Sequence, residues 1–485
     1  MSQTTELLDR LIHEGDALLK AGRYAEGEAR AREVLAWQPK NAGGQYLLGL
    51  SALMQNRHAD ALAYFDGALR TERVNPQLHF MAGLCHGGLG RVEEAIASYR
   101  RALQYQPDFI EARANLGYLL EHTGRIEEAA ECYRRALALA PDEWVALNRL
   151  GYCERMLGQA EASLATLGRA LAINARSAPT LNELALSLLQ LDRRSEAIAR
   201  LREAVTVDPD FAAGWANLCK LLYVEHLEAV QAAEAGGGAP PDPSPVVECF
   251  DRLLAFEPSN AEFKYLRDGL AGIRVERPPD GYVQSFFDRF APRFEDRLLG
   301  ELRYCAPGVV AQFLAPWLST RKALGVADLG CGTGLSGTFV RPHAASLIGV
   351  DLSAEMLEIA RGRGIYDELV REEIGDWLTR RTPGSLDLAL ALDVFIYVGA
   401  LDRVLQAAAA AIANDGRFVF TIEELGAAGD FALLPAGRYA HAPEYVMAAA
   451  ERAGFRGVQS EPFDIRVEAG RPVRARIYAL EKAPQ

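Results

Sequence analysis

The stretch Asp328-Leu329-Gly330-Cys331-Gly332-Thr333-Gly334-Leu335-Ser336-Gly337 decides how this 485-residue chain is read. Its glycines fit two registers. Gly332, Gly334 and Gly337 form G-x-G-x-x-G, with Asp351 19 residues beyond Gly332, the spacing of loops that hold a dinucleotide. Asp328, Gly330, Gly332 and Gly334 form D-x-G-x-G-x-G instead. The apolar run 323–329 ends just before Gly330, so the turn starts there, in the second register. An acid at the end of that run can accept a hydrogen bond from an ammonium, whereas it would repel a pyrophosphate.

Outward from this loop, short apolar runs alternate with helical spacing. Runs 323–329, 346–352, 369–374, 386–392 and 416–422 read as strands; 335–341, 354–361, 401–413 and 443–453 read as helices. The run 386–392 is strongly apolar, as a strand covered on both faces should be. Runs 458–467 and 473–480 flank Glu468-Ala469-Gly470-Arg471-Pro472 and read as an antiparallel hairpin. The pattern predicts an α/β, Rossmann-like domain over 282–485.

Upstream the period becomes 34 residues. Gly15, Gly49, Gly83, Gly117 and Gly151 are each 34 apart, followed by Ala185 and Cys219. A small slot holds Val34, Ala68, Ala102, Ala136, Ala170 and Ala204; a bulky one holds Phe65, Tyr99, Tyr133, Leu167 and Leu201. Pro39, Pro107, Pro141 and Pro209 close their units. Each unit reads as two antiparallel helices, close-packed at the small residues, with the bulky one plugging the gap to the next pair. Such pairs stack into a solenoid because neither buries its apolar face alone. A seventh unit carries an insert near 234–245, including Gly236-Gly237-Gly238 and Pro240-Pro241, which reads as a mobile loop. The expected organisation is an all-α solenoid of about seven repeats over 1–260, a linker over 261–281 marked by Pro278-Pro279-Asp280-Gly281, and the α/β domain over 282–485. Just after the linker, Phe286, Phe287, Phe290, Phe294, Leu298 and Leu299 fall at helical spacing and read as a helix on the next core.

The chain carries 52 Lys plus Arg against 65 Asp plus Glu, a net charge of −13, so a nucleic-acid partner is not expected. No apolar run reaches the ~18–20 residues that span a bilayer, and the N-terminus lacks a signal-peptide core. Seven cysteines with no C-x-x-C pair point to free thiols in a reducing, cytoplasmic setting and to no metal site.

The repeats, best seen from Asn115-Leu116-Gly117-Tyr118 through Ala129, Tyr133, Ala136 and Pro141, resemble the tetratricopeptide repeat (TPR). The segment 327–334 resembles motif I of class I S-adenosylmethionine (SAM) methyltransferases, and Gly349-Val350-Asp351-Leu352-Ser353 with Met356-Leu357 resembles the motif that follows. The closing hairpin also suits that family's sheet better than a dehydrogenase's. The two parts together resemble bacterial TPR-containing methyltransferases. The resemblance implies SAM as cofactor. Asp328, Gly330, Cys331, Gly332 and Gly334 would then hold its methionine end, helped by the N-terminus of the following helix. Asp351 would accept the ribose hydroxyls, with Leu352 and Met356 beside it. Asp376 and Trp377 would meet the adenine, and Asp393 the methionine ammonium or the substrate.

The fourth strand continues Leu392-Asp393-Val394-Phe395-Ile396-Tyr397, without the Asn/Asp-Pro-Pro-Tyr of enzymes that methylate base amines or glutamine amides. Asp393, Tyr397 and His441 are the catalytic candidates. Glu423, Glu424, Arg438, Tyr439 and Tyr445 are further substrate-side candidates, with Phe290, Phe294 and Tyr304 over the pocket. Glu423-Glu424 also reads as a solvated pair, His441 as a helix-entry residue, and the run 471–476 as edge-strand charge. The repeats imply a groove for a protein or peptide, lined by Tyr46, Phe80, Tyr118, Asn148, Tyr152, Asn182 and Lys220. The expected function is SAM-dependent methyl transfer with the repeats recruiting a protein or peptide. The alternatives are a small-molecule methyltransferase whose repeats oligomerise or scaffold it, and a non-catalytic scaffold.

Overall fold

The computed structural model describes residues 3–236, 238–279, 281–426, 429–468 and 470–482. Gly237 of the expected mobile insert, Asp280 of the linker run and Ala469 of the hairpin turn lie outside the described residues. The chain forms two compact units, Met1–Leu218 and Cys219–Gln485.

The first unit is a run of helix pairs, from Gln3–Lys20 with Tyr24–Trp37 to Ala178–Gln190 with Arg194–Val207. The glycine slot works within each pair. A Cβ on Gly49 would stand 2.7 Å from the Phe65 ring, on Gly83 2.5 Å from Tyr99, on Gly117 2.9 Å from Tyr133 and on Gly151 2.4 Å from Leu167. The bulky residue therefore locks the two helices of its own unit, and it also shares a core cluster with the next pair, Phe65 with Leu78, Ala82 and Cys85. The turn inside each pair is a further 34-residue slot. Gly22, Asn56, Gly90, Gly124, Gly158 and Asp192 all adopt left-handed φ between 58° and 76°, the conformation that Gly, Asn and Asp tolerate best. Phe80 and Asn182 of the expected groove are 9% and 6% exposed, and Asn182 accepts from Asn217 at 2.8 Å, so both belong to the packing. Lys220 falls in the second unit.

The second unit is built on strands β1 (Leu324–Leu329), β2 (Ala344–Asp351), β3 (Glu368–Arg371), β4 (Leu386–Ala391), β5 (Ile412–Glu424), β6 (Phe431–Leu433), β7 (Tyr439–His441), β8 (Phe455–Glu468) and β9 (Arg471–Lys482). The sheet runs β3-β2-β1-β4-β5-β7-β6, with β9 antiparallel to β5 and β8 to β9. The order reverses between β1 and β4, so a crevice opens at the carboxyl ends of these two parallel strands. One face is covered by Trp377, Phe395, Phe418, Phe420 and Phe455, the other by Val310, Leu314, Leu347 and Leu388.

Three elements differ from the sequence reading. The helix after the glycine loop shrinks to the single turn Gly337–Val340. The run 369–374 ends its strand at Arg371, and Ile374–Thr379 becomes a helix whose N-terminus is capped by Glu373. The short strands β6 and β7 fall between the expected elements. The division between units also lies earlier than the expected linker, at Leu218/Cys219. Tyr265, on helix Ala261–Leu270, is 2% exposed within the sheet's core and donates to the Gly437 carbonyl at 3.2 Å; Tyr223 donates to that of Pro435. These aromatic residues tie the seventh helical unit to the sheet.

Candidate active site

β1 delivers Asp328 to the bottom of the crevice, 1% exposed. Gly330, Gly332 and Gly334 follow with φ of +66°, +54° and +90°, which L side chains adopt only at a cost. The loop is pinned to β2, where the N–H groups of Gly330 and Cys331 donate to the Val350 carbonyl at 2.7 and 3.1 Å. A Cβ on Gly330 would strike Val394 at 2.4 Å, whereas one on Gly332 would project into open space. Asp351 accepts the Gly332 N–H at 2.8 Å on one oxygen and the Ser353 N–H at 2.9 Å on the other. Cys331 is buried in this loop, its thiol pushed well up by burial and the nearby carboxylates. Thr333, 1% exposed, leaves its hydroxyl without a partner.

Asp328 is the electrostatic anomaly of the loop. Its carboxylate accepts from the Tyr366 phenol at 2.6 Å and has no ion pair among the described residues. Burial pushes its pKa up to about 7. Asp351 is also raised by burial, against the pull of its backbone hydrogen bonds. A buried carboxyl without a counter-cation, an unsatisfied hydroxyl and a glycine facing open space fit a ligand that brings an ammonium and hydrogen-bonding groups.

The other donor-side candidates divide. Leu352, half-buried, and Met356, buried at 1%, follow Asp351 directly, with Ser353 capping the helix at the Met356 N–H. Asp376 and Trp377 depart from the expectation because the helix Ile374–Thr379 sends them opposite ways. Asp376 is exposed and paired with Arg403 at 2.5 Å, and Trp377 is 1% exposed inside the core.

On the acceptor side, Asp393 follows β4 with φ +58°. Its N–H donates to Thr421, and its carboxylate accepts Arg466 at 2.9 and 3.2 Å. Tyr397 lies four residues on, half-buried, with Phe287 edge-on at 5.3 Å. Glu423 corrects the solvated-pair reading: it is 5% exposed and paired with Arg466 and Arg438, while Glu424 pairs with Arg476. His441 corrects the catalytic reading, while the helix-entry reading holds: it directly precedes Ala442, the N-cap of helix Pro443–Arg452. It ends β7 fully buried, its Nε2 within 2.9 Å of the Val398 and Gly399 carbonyls and its Nδ1 unpartnered. Burial lowers its pKa to about 4, so it is a neutral framework residue without access to a substrate. Tyr445 likewise serves the frame, accepting from the Leu401 N–H and donating to Asp402.

Arg466 escaped the sequence reading. Alternation along β8 would alternate its faces, yet Ile465 and Arg466 are both buried, because the register with β9 shifts between Asp464 and Arg466. Such a bulge re-aims a side chain. Over the loops lies the aromatic segment Tyr282–Phe290, which buries no residue of its own. It is tied down by Asp288, which accepts the Ser353 hydroxyl at 2.6 Å, and by Glu295, which pairs with Arg363; Arg363 in turn holds the Thr333 carbonyl at 2.6 Å. The expected helix is present, with Tyr282 packed on the sheet's core, and the segment also straps both donor loops. Among the described residues no cluster of His, Cys, Asp and Glu is arranged to hold a metal ion, and no helix is long and apolar enough to cross a membrane.

The family model for the tetratricopeptide repeat matches residues 13–76, 80–143 and 123–179, and that for a methyltransferase domain matches 327–418. The "Probable S-adenosylmethionine-dependent methyltransferase CRG1" of Saccharomyces cerevisiae is 32% identical over 106 residues, 21% of this chain and 35% of that protein. The "Ubiquinone biosynthesis O-methyltransferase" of Ralstonia nicotianae is 26% identical over 185 residues, 34% of this chain and 75% of that protein. Among solved structures, YrrB, described as a TPR protein with an unusual peptide-binding site, aligns with a TM-score of 0.37 and 18% identity over 39% of this chain and 96% of that chain. The chain spans 35% of the length of CRG1 and 25% of that of the "Probable 18S rRNA (guanine-N(7))-methyltransferase" of Dictyostelium discoideum. This chain thus joins segments that match the tetratricopeptide-repeat model to one that matches a methyltransferase-domain model and is similar to S-adenosylmethionine-dependent methyltransferases.

Proposed function

We propose that the protein transfers a methyl group from SAM and that its repeats recruit the protein or peptide that is methylated, or a partner. The observation that carries the catalytic half is Asp328, a buried carboxyl with a raised pKa and no ion pair, beside three glycines in left-handed conformation. The SAM ammonium would supply the missing charge. Asp351 spends one lone pair of each oxygen on backbone N–H groups, which leaves acceptor capacity for ribose hydroxyls. When bound, SAM supplies a methyl carbon made electrophilic by its sulfonium. The chain's own work is then to orient the acceptor and exclude water, and the strap over Ser353 and Arg363 suits the second task.

The recruiting half rests on aromatic–guanidinium pairs in the first unit: Tyr118, 44% exposed, lies under Arg149 at 5.6 Å, and the half-buried Tyr152 under Arg155 at 5.2 Å. These surfaces suit a peptide chain. A small-molecule acceptor, with the repeats serving as scaffold or self-association surface, is the second reading; the likeness to the ubiquinone biosynthesis O-methyltransferase of Ralstonia nicotianae over 75% of its length favours it. A cytoplasmic setting is part of the proposal, on the strength of free cysteines at all seven positions. Transfer of label from tritiated SAM into a cell extract separates the readings. Label in protein that falls severalfold with Tyr118→Ala plus Tyr152→Ala supports recruitment. Label in small molecules, unchanged by that variant, rejects it.

A further inference from the structure

Between the short strands β6 and β7 the chain turns at Leu434-Pro435-Ala436-Gly437-Arg438. Within the turn, the Leu434 N–H donates to the Arg438 carbonyl at 2.7 Å and the Gly437 N–H to that of Leu434 at 2.9 Å. β7 joins β5 through the pairs Glu423–Ala440 and Glu424–His441, a short ladder that fixes the turn loosely on its own. Two helices upstream grip it. Tyr223, on Ala212–Gly236, donates to the Pro435 carbonyl at 2.5 Å, and Tyr265, on Ala261–Leu270, to that of Gly437 at 3.2 Å. Gly437 has φ +74°, and a Cβ there would stand 2.8 Å from the Tyr282 phenol oxygen and 3.3 Å from Leu266. Both gripping rings are held in turn: Tyr223 meets Phe250 edge-on at 5.8 Å, and Tyr265 packs on Tyr282 at 4.9 Å. The turn takes its position from these helices as much as from the sheet.

Arg438 ends the turn and enters an ionic ring. It meets Glu423 at 3.2 Å and Glu468 at 2.8 Å. Arg466 meets the same two carboxylates and also Asp393, at 2.9 Å. Two guanidiniums therefore hold three carboxylates. Without Arg438 all three would fall on Arg466, and buried charges left short of partners are costly. A displaced Arg438 is bound to move the carboxylates it shares. At the far end of the ring, Asp393 follows β4 with φ +58° and its N–H bonded to Thr421. Its neighbour Val394 abuts the glycine loop so closely that a Cβ on Gly330 would strike it at 2.4 Å. An unbroken series of printed contacts runs from the two phenols to the loop, the kind of network that can carry energetic coupling.

Resting on the methyltransferase reading, we propose that Tyr223 and Tyr265 are positioning residues for the SAM loop. By gripping the turn 434–438 they fix Arg438, and through the ring they set Asp393 and Val394 against Gly330. Neither phenol touches the cofactor. The helices that close the repeat region are then part of the cofactor site's frame, and not only its mount.

Two measurements on the full-length protein test this. Tyr223→Phe removes one hydroxyl and keeps the ring. Without SAM, it should quicken amide hydrogen exchange about threefold or more over 434–441 and also over 391–397, the segment that holds the Asp393 N–H. Calorimetry should show the Kd for SAM raised about threefold or more. In an Arg438→Gln background the same substitution should add nothing to either effect beyond the turn, because its route is already cut. Exchange quickened over 434–441 alone, an unchanged Kd in the folded variant, or equal effects in both backgrounds overturns the proposal, since a merely structural tyrosine gives additive losses. Tyr265→Phe is measured beside it with the same expectations, and melting curves show that each variant is folded. Failure of the wild-type protein to bind SAM is a separate outcome: it removes the methyltransferase reading, while hydrogen exchange still reads the linkage without cofactor.

Discussion

Asp328 shows how one residue reports a missing ligand. At neutral pH its carboxyl, with a pKa near 7, is about half protonated. A bound ammonium favours the ionised form, so SAM binding at pH 7 should release about half a proton. Calorimetry in buffers of different ionisation enthalpy reads this directly; the release should vanish in Asp328→Asn and at pH 9. His441 gives the opposite sign. Its pKa is lowered to about 4 from the ordinary 6.5, so its contribution to stability is full above pH 6.5 and is lost as pH falls toward 4. Melting curves of His441→Gln should therefore lie below the wild type at pH 8, by roughly 1–3 kcal/mol for its buried hydrogen bonds, and converge with it on acidification. Asp328 and the glycines were legible in the sequence because their chemistry needs those residue types at fixed spacing. The burial of His441 was not, because nothing local distinguishes a neutral framework imidazole from a base.

At the scale of elements, regular structure was the legible part. The 34-residue period yields the helix pairs, and the alternation of apolar runs yields β1, β2, β4 and the closing hairpin. What escaped were departures from regularity. Counting alternate residues along β8 cannot foresee a register shift between Asp464 and Arg466, and that shift turns Arg466 inward. Nor does the apolar content of 369–374 reveal that Glu373 caps a helix and sends Asp376 to the surface. The bulge carries an energetic prediction. Arg466→Met leaves Asp393 without its arginine and breaks the Glu423–Glu468 ring, at a cost of about 3–5 kcal/mol. Arg466→Lys keeps the charge and should recover part of it. Denaturant unfolding of the two variants measures the difference; equal stabilities would show that the network has no such role.

At the scale of the whole molecule, the sequence marks a boundary by proline and glycine, but the chain divides where contacts thin out. Pro278-Pro279 looks like a linker, yet Tyr265 upstream is embedded in the sheet's core and hydrogen-bonded to Gly437. A fragment of residues 212–485 should therefore fold cooperatively. One of residues 276–485 loses that buried ring, worth about 3–5 kcal/mol, and should melt lower or aggregate. Comparing their thermal transitions checks this. The central claim, however, is that the glycine loop holds SAM, and one titration tests it most directly. Calorimetry of full-length protein with SAM, beside Gly332→Ala, uses a variant whose added methyl meets no protein atom within 4 Å. It should cost only about 1–2 kcal/mol of backbone strain while intruding on the cradle. The prediction is saturable SAM binding by the wild type, weakened at least about tenfold in Gly332→Ala with the fold retained; no binding by the wild type, or equal affinity in the folded variant, contradicts it.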